Sequence, residues 1–123
     1  MIEYKFNEEL QILEVFYEGT ISISDLIDYG NSVFSDESLP RDLRILTDAS
    51  KASYIILPGE IQQIIKLTLQ HIKPYNKVKA AFIQSKPIET ALSQLLELEF
   101  QSGKYEHSVF SSRQAALHWL LSG

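Results

Sequence analysis

Two short runs, "LRILTD" (Leu43–Asp48) and "VKAAFIQ" (Val78–Gln84), constrain this chain more than anything else in it. Each is rich in β-forming residues and poor in polar positions, the pattern of a strand covered on both faces. Each leads into a helical pattern opened by a proline, Pro58 or Pro87, and proline suits the first turn because its missing N–H is not needed there. The helix from Pro58 presents Ile61, Ile64, Ile65, Leu69 and Ile72 as one apolar stripe and ends before Pro74. The helix from Pro87 presents Ile88, Ala91, Leu92, Leu95, Leu96 and Phe100, and Gly103 stops it. Doubly covered strands alternating with helices require a parallel sheet with right-handed crossovers.

The N-terminal part reads differently. Ile2, Tyr4 and Phe6 alternate with Glu3 and Lys5, Asn7–Glu9 is a turn, and "LQILEVFYEG" resumes the alternation until Gly19 closes it. These two runs form an antiparallel hairpin. Ile23, Leu26, Ile27, Gly30, Val33 and Phe34 then recur at helical spacing behind a Ser22 or Ser24 cap. Near the C-terminus "KYEHSVF" alternates as a strand. Ser111 and Gln114 match a capping box for a last helix that buries Ala115, Ala116, Trp119 and Leu120. The order is ββαβαβαβα, an α/β chain with a mixed sheet of about five strands and about four helices. With no internal repeat or linker, residues 1–123 read as a single domain.

Composition excludes several function classes. A net charge of −5 gives no basic surface to displace counterions from nucleic-acid phosphates. No cysteine is present, which removes disulfides, zinc–thiolate sites and thiol nucleophiles and fits a cytoplasmic location. The start, "MIEYKFNEELQ", is no signal peptide, and no run reaches the roughly 18 apolar residues of a membrane span.

Chemistry-bearing motifs are few. The glycine-flanked "LPGEI" lacks the spaced glycines and the lysine of a phosphate loop. His71, His107 and His118 stand singly, without metal-ligand spacing, so no metal and no cofactor is expected. His107, between Tyr105 and Val109 on one strand face, reads as a partly buried structural histidine and His118 as a surface one. Glu8–Glu9, Asp36–Glu37 and Glu97/Glu99 do not converge and read as solvated surface. No nucleophile–base pair can be assembled, so the chain is not expected to be an enzyme.

The segment "DASKASYIILPGE" carries what remains. It reads as a loop leaving the C-terminal end of a parallel strand, where ligands of open α/β sheets bind. Asp48 and Ser50 either bond their own backbone to shape the turn or form a recognition or modification site. "YIIL" either folds down, with Leu57 against Ile61, or is an apolar patch that a second copy would cover in a homodimer. The candidate interaction or ligand loop is therefore Asp48, Ser50, Ser53, Tyr54, Ile55, Ile56 and Leu57, with Ile61, Ile64 and Ile65 as the candidate apolar pocket.

The closing "VFSSRQAALHWLLSG" and the order of elements resemble the SpoIIAA-like family of STAS-related domains, which end in a strand and a "vFs…eeAl.WL" helix. Val109, Phe110, Ser111, Ala115, Ala116, Leu117, Trp119 and Leu120 occupy that pattern, and the resemblance in topology spans nearly the whole chain. It implies a STAS-like fold near the lipid-binding CRAL-TRIO/Sec14-type domains. Anti-sigma-factor antagonists of this superfamily carry a "DSSGLG"-type loop whose serine is phosphorylated at a helix N-terminus. Here Asp48, Ser50 and Ser53 stand without that motif and at a distance from the next helix, and Ser50 carries over as the candidate phospho-acceptor. Two readings follow. The first is a non-catalytic regulatory or protein-interaction module. The second is a small carrier or sensor holding an apolar, lipid-like ligand between the sheet and the helix from Pro58.

Overall fold

The computed structural model describes residues 1–86 and 103–122. The helix expected between Pro87 and Phe100, and the Glu97/Glu99 pair on it, lie outside these residues.

Five strands form one mixed sheet in sequence order: β1 (Ile2–Asn7), β2 (Ile12–Ser22), β3 (Asp42–Ile55), β4 (Lys77–Ile83) and β5 (Tyr105–Phe110). β1 and β2 pair antiparallel, and β2–β3, β3–β4 and β4–β5 pair parallel, as the hairpin and βα patterns require. The described residues add three helices, α1 (Ile23–Phe34), α2 (Pro58–His71) and α3 (Arg113–Leu121).

The hairpin turn takes one residue more than its polar residues suggest, running from Glu8 to Gln11 between the paired Asn7 and Ile12. Asn7 Oδ1 accepts from the Leu10 N–H at 3.0 Å, and Gln11 adopts a left-handed φ of 56°. Gly19 does not end β2. It sits within the strand at φ 75°, opposite Ala52, and pairing continues to Ser22. There Ser22 caps α1. Its hydroxyl accepts from Asp25 N–H while the Asp25 carboxylate accepts from Ser22 N–H at 2.9 Å, satisfying two otherwise orphan amides.

The largest departure from the sequence reading concerns the stretch after Asp48. Residues 48–55 are no loop but the second half of β3, a strand of 14 residues. The polar residues survive there because β2 supplies a ladder: Glu18, Gly19, Thr20, Ile21 and Ser22 pair with Lys51 to Ile55. Local polarity argued for a turn, and long-range backbone pairing overrode it. The register shifts between Phe16/Asp48 and Glu18/Lys51, so β3 carries one extra residue, a β-bulge. In an unbulged strand Ala49 and Ala52, three residues apart, would lie on opposite faces. With the bulge both lie in the same buried core.

The sheet is covered on both sides. One core packs Leu13, Val15, Tyr17, Leu43, Ile45, Val78 and Ala80 against α1 and α2. The other packs Ile12, Leu46, Ala81 and Ile83 against Ala116 and Leu120 of α3. Ile45 and Leu46, and likewise Ala80 and Ala81, thus serve opposite cores, which is why both runs are almost continuously apolar. In α3 the cap is Ser112, accepting from Ala115 N–H at 3.2 Å, and not Ser111. The expected box fails because helical geometry begins one residue later, and Ala115 consequently faces solvent while Trp119 is half-buried. Lys79 crosses from β4 to the far end of α3, its ammonium 2.6 Å from the Trp119 carbonyl and 4.4 Å from the indole centroid.

Candidate functional site

The α1/α2 face of the sheet is not filled. A cavity of about 120 Å³ remains between it and the two helices. Strand periodicity builds its floor: Ile45 and Thr47 on β3, Ala80 and Phe82 on β4, and Tyr105 and His107 on β5 are each two residues apart. Tyr17 from β2 and Tyr54 beyond the bulge complete this side. Helical spacing builds the roof, with Ile23, Leu26, Ile27, Gly30 and Phe34 from α1 and Ile64, Leu67, Thr68 and His71 from α2. Small residues at Thr47 and Ala80 leave the space, and rings frame it.

Those rings are ordered. Tyr17 sits edge-to-face with Tyr29 (6.1 Å), Tyr54 (6.3 Å) and Phe82 (6.2 Å), within the favourable range for aromatic pairs. Phe82 stacks on the His107 imidazole at 4.5 Å. Tyr105 Oη lies 3.2 Å from His107 Nδ1, and Gln84 donates to Tyr54 Oη at 2.8 Å. At the other end α1 and α2 touch at Gly30, where an added Cβ would lie 2.9 Å from His71 Cε1. The His71 ring stacks on Phe34 at 5.4 Å, and its Nε2 is 3.1 Å from Asn31 Oδ1.

Burial makes this site electrically neutral. Desolvation drives the Tyr17, Tyr29 and Tyr105 phenols upward, so they stay protonated. It lowers the His71 imidazole and lowers that of His107 to about 4, so His107 is uncharged at pH 7. No described residue lining the cavity carries a charge at that pH. Among the described residues no three histidine, aspartate or glutamate side chains converge to hold a metal ion.

The residues singled out in the sequence are dispersed by the structure. Tyr54 and Ile56 line the cavity, while the alternating neighbours Ile55 and Leu57 are 62% and 64% exposed. Leu57 is the exposed N-cap of α2, with its N–H donating to Glu60, and does not fold down on Ile61. Of the expected pocket, Ile64 lines the cavity, but Ile65 is buried in the core and Ile61 packs against it. Leu69 points away and is 42% exposed. Asp48 lies two residues from Leu46 and shares its face, opposite the cavity. It accepts from both Ser50 N–H (3.0 Å) and Ser50 Oγ–H (2.6 Å), shaping the bulge as an Asx turn does. Ser53 Oγ accepts from the Lys86 ammonium at 2.9 Å. Ser50 thus stands inside a strand, away from the α2 N-terminus at Pro58.

Most of the cavity escaped the sequence reading. Tyr17, Tyr29, Thr47, Ala80 and Phe82 look like ordinary core residues, and nothing local distinguishes a filled from an unfilled face. The one available signal was the Tyr105–His107 spacing, two aromatic hydrogen-bonding groups on one strand face.

A mixed five-stranded sheet with helices on both faces, opened by a hairpin and closed by a strand and a short helix, is the SpoIIAA-like fold. The chain is similar in structure to an uncharacterized protein of the DUF3478 family with a SpoIIAA-like fold from Shewanella loihica PV-4. That match has 17% sequence identity and a TM-score of 0.63, and it covers 98% of this chain and 92% of the other. No protein-family model and no curated protein sequence matches the chain. Among the described residues no helix is long and apolar enough to cross a membrane.

Proposed function

We propose that this protein is a non-catalytic small-molecule-binding module, a sensor or carrier, that takes an apolar ligand into the cavity between the sheet and α1/α2. The observation that carries the reading is the cavity itself. Leaving 120 Å³ open among residues such as Ile45, Phe82 and Ile64 forgoes packing energy, roughly 24 cal/mol per Å³ or about 3 kcal/mol in all. A concave, largely apolar site with a few polar groups is the usual form of a ligand pocket. The described lining residues contain no carboxylate, amine or thiol, and the His107 imidazole is buried between Phe82 and Tyr105. The cysteine-free composition favours the cytosol.

The test is native mass spectrometry on protein purified gently from its own host, followed by the same measurement after denaturation. A bound small molecule lost on denaturation, and missing from an Ala80→Leu variant with a filled cavity, supports the reading. A bare mass, with no uptake of any apolar compound in vitro, refutes it.

A second reading, regulation by protein contact, is favoured by one observation. Ile55 and Leu57 lie exposed on the same stretch whose Tyr54 and Ile56 line the cavity. Self-association through these side chains would be lost in an Ile55→Ser/Leu57→Ser variant, as read by sedimentation velocity. A monomer at all concentrations removes the homodimer.

A further inference from the structure

The dimensions and lining of the cavity also select the ligand. We infer that its occupant is a compact, uncharged molecule built on a single aromatic ring, and not a long-chain lipid or an organic anion; this rests on the small-molecule-binding reading above.

Size comes first. Pockets for drug-sized molecules run from about 300 to 1,000 Å³, several times the 120 Å³ found here. An apolar cavity of about 150 Å³ stays dry and accepts benzene. One ring with one or two small substituents therefore matches the space, and an extended acyl chain overfills it. Charge comes second. The polar lining groups among the described residues are the hydroxyls of Thr47, Thr68 and the tyrosines and the two neutral imidazoles, with no lysine, arginine or acid. A carboxylate or ammonium entering such a site would shed its water and meet no opposite charge, which costs several kcal/mol. An uncharged ligand avoids that cost.

Shape comes third. Tyr17 already holds three rings edge-to-face around it, and Phe82 and His107 stack in a second orientation. All five of these rings line the open volume. A flat guest ring can meet faces with its own edge at the 4.5–7 Å centroid spacings typical of aromatic pairs. A flexible chain gains nothing from that geometry and loses its rotational freedom on entering.

The experiment is titration of the full chain at pH 7.5 with four probes, toluene, p-cresol, benzoate and decan-1-ol, monitored by calorimetry and by thermal unfolding. Toluene and p-cresol are expected to bind and to raise the unfolding temperature, with benzoate at least tenfold weaker than p-cresol and decan-1-ol weaker than both rings. The variants Ala80→Leu and Ile64→Phe, each checked for its fold by circular dichroism, should weaken p-cresol at least tenfold. Two variants are used so that a misfolded one leaves the other to decide. Benzoate binding within threefold of p-cresol overturns the uncharged class. Decan-1-ol binding more tightly than the rings overturns the ring class while leaving the ligand-binding reading intact. Binding of none of the four overturns both. Undiminished p-cresol binding in a folded, filled variant places the ligand elsewhere and ends the inference.

Discussion

Acidification should weaken this protein through His107, and the size of the effect can be worked out. The ring is 7% exposed, stacked on Phe82 beside the Tyr105 hydroxyl, and desolvation lowers its pKa from an ordinary 6.5 to about 4. Above about pH 6.5 the imidazole is neutral in both folded and unfolded chains, and no penalty arises. Between 6.5 and 4 the unfolded chain takes a proton that the folded chain refuses, so stability falls as pH falls. The slope approaches 1.4 kcal/mol per pH unit, giving about 2 kcal/mol lost between pH 6.5 and 5 and about 3 kcal/mol by pH 4. Against a total of about 5–15 kcal/mol for a folded domain, that is a large share. Carboxylates act lower down. Burial alone would raise the Glu14 carboxyl, but hydrogen bonds from Asn7 and Arg113 hold it below its usual value, and the bonds at Ser22 and Ser38 do the same for Asp25 and Asp36. Their contributions are lost only as pH falls through the carboxylate range, so pH 5–7.5 isolates the histidines. His71 has the same sign and remains in the comparison. The variant His107→Gln keeps an acceptor for Tyr105 but cannot titrate. Urea unfolding at pH 7.5, 6.5, 5.5 and 5.0 should show a shallower pH dependence for it than for the parent chain, by about 2 kcal/mol over the interval. Identical slopes would mean that His107 is solvated or already charged in the folded state, and the neutral cavity would fall with it.

Other perturbations have equally definite outcomes. Leu120→Ala removes a fully buried side chain from the α3 core and should cost about 2–5 kcal/mol in chemical unfolding. It should leave p-cresol affinity unchanged, because the cavity is on the opposite sheet face. Ser22→Ala removes the hydroxyl arm of the α1 capping box, leaving the backbone N–H arm to Asp25 in place, and should cost about 1 kcal/mol by the same assay. Ala80→Leu adds buried carbon to empty space and should raise the thermal midpoint, recovering part of the roughly 3 kcal/mol forgone by the cavity. A lowered midpoint with the fold retained would show that the space near Ala80 is already filled.

What could be read in advance follows from range. Helix α1 was legible because its stripe and cap lie within one stretch of chain. The strands Leu43–Asp48 and Val78–Ile83 were legible because burial on both faces leaves few polar positions to confuse the pattern. The last helix was legible in place but not in register, since Ser111 and Ser112 are equally good caps and only the end of β5 at Phe110 chooses between them.

The sequence by itself therefore determined the alternation of elements and the mixed character of the sheet, each a property of residue type and local period. Tertiary structure alone decided that Asp48 to Ile55 is strand, because the partners that satisfy those amides lie more than thirty residues away on β2. It also decided that the cavity exists. An unfilled volume belongs to no residue. It is what remains when four strands and two helices, each packed for its own reasons, fail to meet over Ala80 and Thr47.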